Sequence, residues 1–159
     1  MLLTAPATVA LVVADILGVA PDEEYVAWAQ ALLETHDSPS LRHLAVQEPP
    51  YFRPQLSRLF RAVFTEVGER FPDGPQAVTL LARSVAQLSL AGALPLFEGV
   101  AQLNRLSSAF PGQLDDGFWQ VADEAPDCDY CWGEATGTYP SLEAAIRAHL
   151  LELVGPGAG

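Results

Sequence analysis

Apolar residues in this chain recur at helical spacing, and proline and glycine cut the recurrence into segments. The clearest stripe is Leu56, Leu59, Phe60, Val63, Phe64 and Val67, at i, i+3, i+4, i+7, i+8 and i+11. Such spacing lines one face of a 3.6-residue helix. Arg58 and Arg61 lie off the stripe, and Gly68 and Phe71-Pro72-Asp73-Gly74 close the segment.

Upstream of it the same logic predicts three helices. Pro6 suits the first turn of one that stops at Gly18. Pro21-Asp22-Glu23-Glu24 opens a second, with acids at the positive end of the helix dipole and Tyr25, Trp28, Ala29 and Leu32 inward. Ser38 as N-cap and Pro39 at the first helical position start a short third, which ends before Glu48-Pro49-Pro50.

Downstream, Pro75 begins a fifth helix with Val78, Leu81, Ala82, Val85 and Leu88 inward, stopping near Gly92. Pro95 begins a sixth on Leu96, Val100, Leu103 and Leu106, ending at Pro111-Gly112. Residues 113–124 read as a short seventh. Residues 125–140 hold Pro126, Gly133 and Gly137 with little periodicity and read as a loop. Ser141 then caps a final helix on Leu142, Ala145, Ile146, Leu150 and Leu153. No alternating stretch is long enough for a sheet. The expected fold is all-α, a compact multi-helix bundle of six to eight short helices whose short connections make neighbours antiparallel. It is expected as a single helical domain over residues 1–154, with residues 155–159 a flexible C-terminal tail.

Composition adds that this chain can bury a real core: it has 159 residues, half of them hydrophobic. Charge changes the picture more. The formal net charge is −12, and every basic residue is an arginine. Phosphate contacts need basic side chains, so a nucleic-acid ligand is excluded. A basic protein partner fits the field instead. The charge is uneven. Residues 1–41 carry six acids and no base, residues 42–83 six arginines against four acids, and residues 84–159 ten acids against two arginines. The simplest arrangement packs the arginine-bearing middle against the acidic ends.

The apolar run from Ala5 to Ala20 has no basic residues before it and contains Asp15. It reads as a buried first helix, not as a leader or a membrane span. With two cysteines, the expected setting is a reducing cytoplasm.

Candidate chemistry gathers near the C-terminus. Cys128 and Cys131 form a C-x-x-C pair, a spacing that suits half of a zinc site or a redox dithiol. Structural zinc wants four ligands, and none of His36, His43 and His149 forms a spaced pair near the cysteines. A redox dithiol follows a strand, and the flanking Asp127 and Asp129 disfavour a thiolate. Incidental free thiols, a metal site and a redox pair all stay open, with zinc the one cofactor to consider. Around the pair lie Asp115, Asp116, Asp123, Glu124, Asp127, Asp129 and Glu134, with no basic residue among them. The spacing of an EF-hand loop is absent. The cluster is either a solvated face or a docking surface. As a docking surface, its contact residues are Asp123, Glu124, Asp127, Asp129 and Trp132. Trp119, Tyr130 and Tyr139 stand nearby, aromatics mixed with charge as at interfaces.

No catalytic set emerges. His36, Asp37, Ser38 and His43 invite a triad, but they are adjacent in sequence, no nucleophile elbow is present, and capping accounts for Ser38. His149 falls on the apolar stripe of the last helix and reads as a half-buried core histidine.

Two segments carry a resemblance. Asp37-Ser38-Pro39-Ser40-Leu41-Arg42-His43-Leu44-Ala45 follows a helix rich in Trp and Ala. Leu94-Pro95-Leu96-Phe97-Glu98-Gly99-Val100 precedes an aromatic-rich acidic stretch. Both resemble an uncharacterised family of small helical bacterial proteins. In similar sequences a Ser stands at the position of Leu94, and Tyr-Glu-Gly stands where Phe97-Glu98-Gly99 stands here. The resemblance implies a bacterial helical domain, with a cap, a proline and close packing at Gly99, and brings no activity with it. The functional expectation is therefore a non-enzymatic acidic module that binds a basic protein partner, by analogy of class with toxin-neutralising immunity proteins. The alternative is a metal-binding or redox protein using Cys128 and Cys131. An enzyme with a pocket among the helices is a third reading, without a nameable catalytic set.

Overall fold

Helix starts and stops follow the prolines and glycines. The computed structural model describes residues 1–73, 77–114, 116–118 and 140–155. The described residues are all-α, without a strand. A 3₁₀ turn at Leu2–Thr4 precedes α1 (Pro6–Leu17), α2 (Asp22–Leu32), α3 (Pro39–Ala45), α4 (Arg53–Glu66), α5 (Ala77–Leu90), α6 (Leu96–Ala109) and α7 (Pro140–Val154). The chain divides into two compact units, Met1–Phe71 and Pro72–Gly159.

In the N-terminal unit, α2 contacts α1, α3 and α4. Pro6 occupies the first helical position of α1, and Gly18 ends the helix at φ 70°, a left-handed geometry that an L side chain rarely adopts. The Val19 N–H reaches back to the Ala14 carbonyl at 2.9 Å, completing the reversal. Ser38 caps α3 as its sequence predicts: its hydroxyl accepts the Leu41 N–H at 3.3 Å, and Pro39 follows it. The α4 stripe buries Leu56, Leu59, Phe60, Val63 and Phe64. Val67 lies at the C-cap, past the last full turn, and is only half-buried. Phe60 is the hub. Its ring meets Tyr25, Trp28, Phe64 and Phe71 edge-on, with centroids 4.7–5.8 Å away. Quadrupole complementarity favours such T-shaped pairs.

In the C-terminal unit, α5 contacts both α6 and α7. Val78, Leu81, Ala82, Val85 and Leu88 are buried as the stripe predicts, joined by Ala77 and Ala86. The expected stripe of α6 shifts at its start. Leu96 is half-buried, whereas Leu94 is buried. The cause is the turn before it: the Ala93 and Leu94 N–H groups both bond the Leu88 carbonyl, which folds Leu94 back onto α5. On α7, Ile146 and Leu150 are buried, His149 is half-buried as expected, and Ala145 is exposed, one helical step round from Ile146. Of the expected seventh segment, residues 116–118 are helical. The expected loop over 125–140 lies outside the described residues except for Pro140, which opens α7. Of the tail, only Gly155 is described.

Candidate functional site

The residues singled out for docking (Asp123, Glu124, Asp127, Asp129 and Trp132) and for metal (Cys128 and Cys131) lie outside the described residues. Among the described residues, no group of three or more His, Cys, Asp or Glu side chains is placed to hold a metal ion. No helix among them is long and apolar enough to cross a membrane.

The adjacent His-Asp-Ser set is occupied by structural work. The Asp37 carboxylate accepts from Nε and Nη2 of Arg42, which holds it below the usual carboxylate range. The Ser38 hydroxyl is buried in its cap. His36 Nδ1 lies 2.9 Å from the Thr35 hydroxyl, and His43 is exposed on α3. Nothing in this arrangement aims an imidazole at a serine.

The middle arginines of the N-terminal unit answer its acids, as the uneven charge suggested. Arg53, at the start of α4, donates from Nε to Asp22 Oδ1 at 2.8 Å and from Nη1 to the Gly18 carbonyl at 3.1 Å. Arg61, one face round from the Phe60 stripe, reaches Asp15. Its Nε and Nη2 lie 2.9 and 2.8 Å from Oδ2.

Asp15 is the buried carboxylate of the described residues, and sequence reading assigned it no partner. Its Oδ1 accepts the Tyr25 hydroxyl at 2.5 Å, and Oδ2 takes Arg61. Burial and the neighbouring carboxylate push the Tyr25 phenol far up, so it holds its proton and serves as a fixed donor. Arg61 also lies over the Phe71 ring, 4.8 Å from the centroid. The carboxylate is thus satisfied on both oxygens, and the set locks α1, α2 and α4 together. An aspartate inside an otherwise apolar run was the available signal, because a buried charge requires a partner.

At the other end of α4, Glu66 accepts the Ser40 N–H at 2.9 Å and the Ser40 hydroxyl at 2.7 Å. The hydroxyls of Ser38 and Ser40 hold its carboxyl below the ordinary range. This clamp ties the start of α3 to the last turn of α4.

The C-terminal unit differs. Gly99 of α6 packs so closely on α5 that a Cβ there would come within 2.0 Å of the Ser89 hydroxyl oxygen. The Ser89 Oγ and the Gln102 Oε1 are buried and accept or donate no hydrogen bond. The close packing that the second resemblance segment implies at Gly99 is therefore present.

Exposed apolar groups complete the surface. Phe52 is 65% exposed, Val46 70% and Val19 63%. The sequence does not single these out, since each stands outside the apolar stripes. No protein-family model, no curated protein and no solved structure matches the chain.

Proposed function

We propose that the protein is a non-enzymatic acidic module that binds a basic protein partner. The supporting observation is how charge is distributed and used. The N-terminal unit has nine acids against five arginines, and Arg42, Arg53 and Arg61 are each engaged with an aspartate of that unit. The C-terminal unit has eleven acids against three arginines. One of those, Arg147, sits 3.1 Å from Glu143. The stretch from Asp115 to Glu134 holds seven acids and no base. A run of acids with no base in its own sequence would speed encounter with a basic surface and reject acidic ones.

The test measures association of the full-length protein with an arginine- and lysine-rich synthetic peptide and with a charge-reversed control. Binding should be fast, confined to the basic peptide, and progressively slower as salt rises. The variant Asp123→Asn, Glu124→Gln, Asp127→Asn, Asp129→Asn should lower the association rate without loss of helical circular dichroism. Equal rates for variant and parent, with a slightly raised melting temperature, would show a solvated, self-repelling face instead. Stoichiometric zinc lost on changing Cys128 and Cys131, with no peptide binding, would favour the metal reading.

A further inference from the structure

The connection between α3 and α4 lies alongside α2 and is pinned at both ends. The Gln30 side chain donates to the Ala45 carbonyl at 3.0 Å, and eight residues earlier on the same helix Asp22 accepts from Arg53. Eight residues of helix span about 12 Å. Residues 46–52 therefore run antiparallel to α2 from the level of Gln30 to the level of Asp22. Along this run Val46, Pro49, Pro50 and Phe52 are exposed. The Arg53–Gly18 bond brings the equally exposed Val19 to its far end.

Two of these side chains sit where the fold would do better without them. Phe52 is the N-cap of α4, in extended backbone at φ −117°, and its side chain makes no capping bond. Serine, threonine, aspartate or asparagine there would satisfy a first-turn N–H. Val19 follows the left-handed Gly18, where an apolar side chain commonly packs back on its helix, yet it stays exposed. Beside the strip, Glu23, one step round α2 from the Asp22–Gln30 line, and Glu48 are exposed acids. The arginine at its end, Arg53, is already committed to Asp22 and Gly18.

We propose that this strip seats an amphipathic, basic helix of a partner protein. Apolar side chains on one face of that helix would lie on Val46, Phe52 and Val19, with lysine or arginine beside Glu23 and Glu48. Two helical turns match the length of the strip, and anchors at i, i+4 and i+7 fit the helix-in-groove mode. The inference shares with the proposed function the basic partner, but it uses a different surface.

The probe is a fluorescent peptide of about 18 residues with leucine on one face and lysine and arginine on the other. A scrambled peptide and a leucine–glutamate peptide are the controls. On the full-length protein the basic amphipathic peptide should bind, and amide shifts should change over residues 18–24 and 46–53. Phe52→Ser should weaken binding about tenfold while leaving the melting temperature unchanged or higher, since serine caps α4. Glu23→Gln with Glu48→Gln should flatten the salt dependence. The quadruple C-terminal variant should leave this binding intact. Equal binding of the scrambled or glutamate peptide would overturn the proposal. So would unchanged affinity in Phe52→Ser, shifts elsewhere, or a dimer in sedimentation that Phe52→Ser dissolves. Loss of binding in the quadruple variant alone would keep the acidic-module reading and reject the strip.

Discussion

In the N-terminal unit four aromatic rings meet around Phe60, and buried polar groups are paired: Asp15 with Tyr25 and Arg61, and Thr8 with the Trp28 indole at 2.9 Å. In the C-terminal unit the described core is mainly Leu, Val, Ala and Ile, and α5 meets α6 over a glycine. There Ser89 and Gln102 leave buried oxygens without partners. The two units spend their polar atoms differently. In the first, polar pairs specify how three helices meet. In the second, a small side chain and a missing Cβ let two helices approach, and unmatched polarity accompanies the approach. An unsatisfied buried polar group costs about 1–3 kcal/mol, so the second unit should have more stability to gain by substitution.

The largest effect should come from removing the aromatic hub. Phe60 is fully buried, and truncating such a residue costs about 3–5 kcal/mol. Phe60→Ala should unfold the N-terminal unit or lower its melting temperature sharply, as read by calorimetry. If the unit melts unchanged, the ring cluster is incidental to its stability and the contrast between the two cores loses its first term.

The second effect tests the close approach. Gly99→Ala should gain helix propensity but force the Ser89 hydroxyl aside, for a net loss of about 1–2 kcal/mol. Ser89→Ala alone should be neutral or stabilising, because it deletes an unpartnered oxygen. Combined with Ser89→Ala, the alanine at position 99 should cost little, since the nearest remaining atom is the residue-89 Cβ at 3.1 Å. Denaturant melts of the four proteins give the coupling directly. Additive effects would mean that Ser89 and Gly99 do not meet as described.

Local signals carried most of the fold. The α4 stripe, the Ser38-Pro39 start of α3 and the Gly18 stop of α1 each rest on chemistry within a few residues, and each stands in the structure. Partners across the chain were not legible. Asp15 was seen as a break in an apolar run, but its partners come from α2 and α4, 10 and 46 residues away. Leu94 replaced Leu96 in the core because a turn, not helix periodicity, aims it. Phe52 belongs to no apolar stripe, and the bond from its neighbour Arg53 to the Gly18 carbonyl, 35 residues away, was equally invisible. Apart from Asp116, the acidic and cysteine cluster lies outside the described residues.

The smallest expected effect concerns pH and sharpens how the N-terminal unit uses its polar pairs. Glu66 accepts from Ser40 twice, and the folded state holds its carboxyl below the ordinary carboxylate value of about 4.3. A depressed folded pKa means that the unfolded chain takes up a proton first as pH falls. Its contribution is therefore complete at neutral pH, begins to fade at the ordinary carboxylate value, and is gone once pH passes below the folded value. Because Glu66 is exposed, the contribution should stay within about 1 kcal/mol. Glu66→Gln should melt slightly below the parent at pH 7, and the gap should close as the pH is lowered toward 3. Amides of α3 should exchange faster in the variant at neutral pH, since the clamp holds the start of that helix. A gap that is constant with pH would assign the effect to packing of the side chain. A gap that widens on acidification would reverse the sign of the linkage and remove the clamp as a source of stability.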